Sequence, residues 1–389
     1  MPQLSAAFGV DALGVASIVG MFYYGYSPFS LVAGAAIDRF GAQRIVPIGA
    51  ALVAAGALLF GTGGVVAASL GRFLQGAGGV FALVGAIYIA TRYFPASYTA
   101  SLVGATQMFG MAGGSAGQLF VGPLMKSGLA WTSFWTYAGF AGVAISVSLL
   151  LLLPKDDIGK ARRTTGLAGI VGSLRAVFAN PQSILCGLIA GLLFIPTTIF
   201  DMTWGVRFLQ EGRGREYDDA VLIAAAVPFG WMIGCPLLGF VSDRIGRRKP
   251  VILGGSLVLL AVLAWALFGV HGFFRGPAVG IVMGIASGAA MLPYTIIKEV
   301  NPPDLGGSAT GVVNFINFTF SALLGPVFGR LLVGAARGSE AMGLAHYQEA
   351  FKPMLAGIVA AAVLTCLLKE TGRAARTVSP YPRSAIDEA

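Results

Sequence analysis

The chain has 389 residues, of which 56% are hydrophobic and 11% charged, with a formal net charge of +9. A mean hydropathy of +0.79 and less than half of the roughly 25% charged residues of a soluble domain exclude a water-soluble globular protein. The excess of positive charge therefore reads as membrane topology and not as an affinity for nucleic acid.

Crossing about 30 Å of hydrocarbon takes about 20 apolar residues in a helix, because every backbone polar group must be satisfied internally. In chain order, such stretches fall at 13–36, 45–66, 68–93, 98–124, 131–153, 184–209, 219–241, 250–270, 277–298, 307–334 and 351–368. The predicted fold class is thus an all-α membrane protein with eleven transmembrane helices visible. Met1 to Val10 lacks a basic stretch ahead of the first apolar run, so no cleavable secretory signal is expected. Arg39, Arg44, Arg92, Lys155, Lys160, Arg162, Arg163, Arg175, Arg244, Arg247, Arg248, Lys249, Lys298 and Arg373 fall on one side of these spans. Lys126, Arg213, Arg215, Arg275 and Arg337 fall on the other. The bias places the 155–181 linker and the 370–389 tail in the cytoplasm and Met1 outside. Two helical bundles, 1–154 and 182–369, flank the linker.

The two bundles repeat one another. Gly34-Ala35-Ala36-Ile37-Asp38-Arg39-Phe40-Gly41 recurs as Gly239-Phe240-Val241-Ser242-Asp243-Arg244-Ile245-Gly246, an offset of 239 − 34 = 205. At an offset of 207, Pro95 pairs with Pro302, Ser101 with Ser308, Gly104 with Gly311, Gln107 with Asn314 and Gly122 with Gly329. Internal repeats of this kind are a hallmark of secondary transporters. The second half has 239 − 184 = 55 residues from the start of its first span to its Asp-Arg loop, against 34 in the first half. The difference is about one helix. The expectation is a twelve-helix protein whose first helix precedes Met1, which would also return the N-terminus to the cytoplasm.

With GAAIDRFGAQR, GFVSDRIGRRK and RFLQGAGG (Arg72 to Gly79) in these places, the chain resembles the major facilitator superfamily over essentially its whole length. Within it, YYGYSPFSLVAGAAIDRFG, TRYFPASYTASLVG and KEVNPPDLGGSATGVVNFINF resemble bacterial carriers of the phagosomal-transporter group, which import amino acids or nucleosides. The resemblance implies two six-helix bundles, a central site between them and rocker-switch alternating access in a bacterial inner membrane. The expected activity is secondary active transport of a small polar metabolite: an amino acid, a nucleoside or an organic anion. H+ or Na+ is the candidate coupling ion, no cofactor is expected, and the protein is expected to be a monomer. The alternative is a transport-fold sensor or membrane assembly partner without net flux.

The candidate residues follow from chemistry in lipid. Asp38, Arg39, Asp243 and Arg244 form a cytoplasmic latch by the resemblance, or a solvated turn with topogenic charge. Asp38→Asn is expected to leave insertion intact and slow uptake. Arg72 lies inside its span, where a cation needs a partner or water. Asp201, Trp204 and Arg207 follow Pro196 toward the outer end of their span, as a proton relay or as an interfacial acid beside a belt tryptophan. Thr310, Asn314, Asn317 and Ser321 share one helix face, and Gln107, Met111, Gly114 and Gln118 repeat the spacing; both faces line a cavity or bond other helices. Gln75 within RFLQGAGG is counted with them as substrate-binding. Tyr23, Tyr24, Tyr26 and Tyr294 offer hydroxyls to a pocket or pack between helices. Gly276, Gly280, Gly284 and Gly288 form a ladder that allows close helix approach.

Other signals carry nothing. Cys186, Cys235 and Cys366 sit in or beside apolar segments as inert thiols, and His271 and His346 are isolated, so no metal site is expected. Gly113 to Gly117 matches GxSxG inside a span with no strand. The sequon at Asn317 lies within a helix, and no GxxxxGK[ST] loop supports ATP-driven pumping.

Overall fold

The structure, a computed structural model, describes residues 2–93, 96–154, 167–269, 276–302, 305–336 and 342–372. Among them there is no strand. A short helix α1 (Pro2–Phe8) precedes α2 (Ala12–Phe40), α3 (Ala42–Gly61), α4 (Val65–Tyr93), α5 (Ala96–Lys126) and α6 (Trp131–Leu152). After residue 166 come α7 (Leu167–Ala179), α8 (Pro181–Ile195), α9 (Tyr217–Ile245), α10 (Lys249–Phe268), α11 (Ala278–Ser287), α12 (Leu292–Glu299), α13 (Gly306–Ala335) and α14 (Leu344–Leu367). The chain is a multi-pass membrane protein. Nine segments among the described residues are long and apolar enough to cross a bilayer. The helices Ala12–Phe40 and Ala96–Lys126 have the length but are not among the nine, so this criterion supports fewer spans than the eleven expected.

Both Asp-Arg loops turn on a glycine with positive φ. α2 ends at Gly41 with φ 82° and α9 at Gly246 with φ 70°, at the repeat offset of 246 − 41 = 205. A left-handed residue lets the chain turn sharply into the next helix, and glycine takes that conformation without a Cβ clash. Side chains of Asp38 and Arg39 lie outside the described ones.

Glycine also sets the tightest crossings. A Cβ on Gly284 would meet the Val227 carbonyl oxygen, with Gly230 Cα at 2.8 Å, and one on Gly230 would meet the Ile281 carbonyl. α9 and α11 therefore pack backbone to backbone, as small-residue interfaces allow in membranes. The first half does the same between α2 and α4, where Gly25 faces the Phe73 carbonyl and Gly76 the Phe22 carbonyl. These are the repeat mates, at 230 − 25 = 205 and 284 − 76 = 208. The ladder holds at Gly280, Gly284 and Gly288 but not at Gly276, which has nothing within 4 Å and a φ of +143° before the helix begins.

Three expected stretches are not simple helices. Pro196–Gly205 and Phe208–Gly212 are π-helical, with one extra residue in each turn. The predicted 277–298 span is α11, a 3-10 turn over Gly288–Met291, and α12. The 155–181 linker includes the helix Leu167–Ala179; residues 155–166 lie outside the described ones. α6 buries only Gly139 among its 22 residues and is apolar all round, the pattern of a helix facing lipid. Cys186 is buried, but Cys366 is exposed, contrary to the expected burial of all three thiols.

Candidate functional site

α2 packs along α13 and α4, so the middle of α2 lies between the two repeats. On α2, Tyr26, Ser27 and Ser30 are all buried. On α13, Thr310, Asn314, Asn317 and Ser321 are buried, which places the predicted polar face toward protein and away from lipid. α12 supplies Tyr294. The 3-10 turn shifts the helix register just before it, and Pro293 in the first turn of α12 has no N–H for that turn to leave unpaired.

These side chains form one hydrogen-bond series across the repeats. Asn317 Nδ2 donates to the Tyr294 hydroxyl at 3.0 Å, and that hydroxyl donates to Asn314 Oδ1 at 2.7 Å. Asn314 Nδ2 donates to Ser30 Oγ at 3.0 Å, and Ser30 donates to the Tyr26 carbonyl at 2.8 Å. Bonds in such a chain polarise one another at low dielectric. Beside it, Ser27 Oγ donates to the Phe315 carbonyl at 2.9 Å and lies 2.7 Å from Thr319 Oγ1. The series ends on an open group, because Asn317 Oδ1 is buried without a hydrogen bond.

Aromatic rings cluster near this series. Phe318 lies 4.2 Å from Tyr26, 6.1 Å from Tyr23 and 5.6 Å from Phe194 by ring centroids. Phe22 stacks on Tyr26 at 5.5 Å, and the Arg72 guanidinium lies over Phe22 at 5.1 Å. Arg72 thus has the partners its depth requires, since NH1 also donates to Gln75 Oε1 at 2.6 Å. Two donors remain open there: Arg72 Nε and Gln75 Nε2 are buried without hydrogen bonds. Tyr23, Tyr26 and Tyr294 belong to this region, whereas Tyr24 is 40% exposed.

Gln107 reaches Met291 Sδ at 3.5 Å, and Ser115 of α5 donates to the Ala225 carbonyl at 3.0 Å. Gly114 faces Met202 and Pro228, and the Gln118 side chain lies outside the described ones. Asp201 and Trp204 are 5% and 3% exposed, so neither sits at an open interface. Arg207 donates to Glu211 at 2.6 Å and lies over Trp204. Sequence reasoning missed Ser27, Ser30, Phe22 and Phe318. Ser27 and Ser30 sit within an apolar run four residues from the tyrosines, and only their pairing with α13 sets them apart.

At the second Asp-Arg loop the guanidinium of Arg248, and not that of Arg244, makes the contacts. Arg248 NH1 donates to Asp243 at 2.5 Å and NH2 to Glu299 at 3.1 Å, while Asp243 is mostly exposed. Burial alone would lower the Arg248 pKa, but the hydrogen bonds and charges of Glu299 and Asp243 raise it above the ordinary guanidinium value. Glu370 Oε1 accepts from the Arg248 and Lys249 backbone N–H groups, and Lys249 Nζ donates to the Cys366 and Leu368 carbonyls. These contacts strap residues 366–370 onto the loop. A cavity of about 440 Å³ lies beside the strap, lined by Phe240, Asp243, Arg244, Gly246, Arg248, Glu299 and Gly372. His346 Nδ1 accepts from the Gly343 N–H, and His271 lies outside the described residues.

A multi-pass helical protein with a buried polar series between two sequence repeats is built as a membrane carrier is built. The Major Facilitator Superfamily model matches residues 1–326, and the chain belongs to that family. It is 24% identical over 372 residues to Multidrug resistance protein Stp of Mycobacterium tuberculosis, covering 81% of this chain and 68% of that protein. It is 22% identical over 380 residues to the probable galactarate/D-glucarate transporter GudP of Escherichia coli, covering 85% and 81%. The match to Multidrug resistance protein 3 of Bacillus subtilis is 25% identical and spans only 40% of this chain and 30% of that protein. Among solved structures, the nucleoside transporter NupG superposes with a TM-score of 0.68 at 16% identity, covering 94% of this chain and 92% of that one.

Proposed function

We propose that this protein is a secondary active carrier of a small polar solute, working by alternating access in a bacterial inner membrane with its C-terminus cytoplasmic. The observation that carries the reading is the set of open polar groups beside the ring cluster: donors on Arg72 and Gln75, an acceptor on Asn317. Unpaired buried polar groups are costly, and a solute bearing both acceptors and donors would satisfy them. Tyr23, Tyr26, Gln75, Gln107, Tyr294, Asn314 and Asn317 are the proposed lining, with Trp204 toward the outer end. Ring faces with mixed donors and acceptors suit an amino acid, a nucleoside or an organic anion better than a lipophilic drug. The relatives' names diverge: Stp is named for multidrug resistance, GudP for galactarate/D-glucarate and NupG for nucleosides.

On this reading α2 and α5 also span, giving eleven crossings in two repeat bundles. Asp38, Arg39, Asp243 and Arg244 then belong to loops that meet and part at the cytoplasmic face. The test is uptake into proteoliposomes of a labelled panel of amino acids, nucleosides and sugar acids. Saturable uptake of one class, lost in Asn317→Ala and Gln75→Ala, is expected. Saturable binding without uptake would overturn the carrier reading in favour of a sensor.

A further inference from the structure

Asp201 is a buried carboxyl that the polar series does not use. It lies within Pro196–Gly205, ten consecutive residues of π-helix. π-helix is rare beyond single-turn bulges, and such distortions concentrate at functional sites. The π register is visible in Thr203, whose hydroxyl donates to the Thr198 carbonyl five residues back at 2.8 Å. Asp201 is 5% exposed, and Oδ2 is fully buried with no hydrogen-bond partner. Oδ1 curls back over Gly205, where an added Cβ would lie 3.1 Å from it.

The neighbouring polar groups are already engaged. Thr197 lies 3.0 Å from Ser287 Oγ and accepts from Trp231 Nε1 at 2.8 Å, and Thr198 lies 3.1 Å from Ser321 Oγ. The titratable groups on the packed elements are Cys186 of α8, Tyr217, Asp218, Asp219, Cys235, Asp243 and Arg244 of α9, Arg330 of α13, and, across the Phe200–Phe351 ring contact, His346, Tyr347, Glu349, Lys352 and Cys366 of α14. α11 carries none. Arg207 and Glu211, further along its own segment, pair with each other. Asp201 makes no hydrogen bond or ion pair with any of them among the described residues. An unpaired carboxylate anion in such a place is strongly disfavoured.

We propose that Asp201 is the proton-carrying group of this carrier: its carboxylate binds one H+ from one side of the membrane and releases it to the other in each cycle. It holds the proton in the arrangement described here, where the carboxyl has no other partner among the described residues. Sodium would instead draw on carbonyl and hydroxyl oxygens of interrupted helices, and the sodium arm of the test below separates it from a proton. A proton needs only the one carboxyl. The inference rests on the carrier reading above.

Two measurements on the full chain test it. The first is infrared spectroscopy of the reconstituted protein at neutral pH in sodium-free buffer, reading the carbonyl stretch of a protonated carboxyl. The band is expected in the wild type and in Glu211→Gln, absent in Asp201→Asn, and unchanged by sodium. An unchanged band in Asp201→Asn, or its loss on adding sodium, would overturn the proposal. The second uses the solute found by the panel. With one proton per solute, a gradient of about one pH unit supports about tenfold accumulation. Asp201→Asn is expected to abolish that accumulation while keeping solute counterflow, which shows that the variant is folded and binds. Full pH-driven accumulation in Asp201→Asn would sink the proposal and leave the carrier reading standing; a wild-type protein that moves no solute would sink the carrier reading first.

Discussion

Replacing Gly284 by Ala tests whether the α9–α11 crossing is set by backbone contact. The new Cβ would meet the Val227 carbonyl oxygen, with Gly230 Cα at 2.8 Å and Trp231 N at 2.9 Å. All three are backbone atoms of α9, so no side chain can rotate away. Relief requires the helices to part by a few tenths of an ångström or more. Parting strains the bond from Trp231 Nε1 to Thr197, 2.8 Å long and fully buried. Overpacking of this kind costs about 1–3 kcal/mol. Helix propensity acts the other way, by up to about 1 kcal/mol. Gly254→Ala is the control, because nothing lies within 4 Å of the Cβ it would add and only propensity changes. Reversible denaturant unfolding in detergent is expected to show Gly284→Ala less stable than Gly254→Ala by about 1–3 kcal/mol. Equal stabilities would refute the contact as the determinant of this crossing.

Removing the Asn314 side chain leaves the Tyr294 hydroxyl and Ser30 Oγ each short of a partner, a loss of about 1–3 kcal/mol. Because one partner lies in each repeat, Asn314→Ala is also expected to raise maleimide labelling of a cysteine placed at Ser27; unchanged labelling would show that the bond does not hold α2 against α13. Trp231→Phe keeps the ring packing and loses one buried bond, for about 0.5–1.5 kcal/mol by the same denaturant assay. Lys249→Met removes the Nζ bonds to the Cys366 and Leu368 carbonyls and is expected to expose the strap, so that trypsin cuts after Lys369 faster than in the wild type. The raised Arg248 pKa has a definite sign: its stabilisation is complete below the ordinary guanidinium range and fades only as pH rises above it. Stability measured between about pH 6 and 9 should therefore show no step that Arg248→Met removes.

Much of the architecture was legible in the amino-acid order. Low charge and long apolar runs dictate spanning helices, because hydrocarbon offers the backbone no other partners. The repeat was legible as well: the glycines that share one offset at the Asp-Arg loops, Gly41 and Gly246, both adopt positive φ. The polar face of α13 follows from 3.6-residue periodicity, which the burial of Asn314 and Asn317 matches.

What the order of residues could not decide was pairing. Nothing near Ser30 marks it as the acceptor for Asn314, 284 positions away. Arg244 and Arg248 look equally placed in the loop, yet only the packing of α12 brings Glu299 within reach of Arg248. The π-helical run at Asp201 has no local signature beyond Pro196, and its Thr197 and Thr198 hydroxyls bond Trp231, Ser287 and Ser321 on other helices. Composition and periodicity act within a helix and so determined that the chain crosses the membrane many times and which face of α13 is polar. Which faces meet depends on close contacts between helices far apart in the chain, and only the tertiary structure decided those.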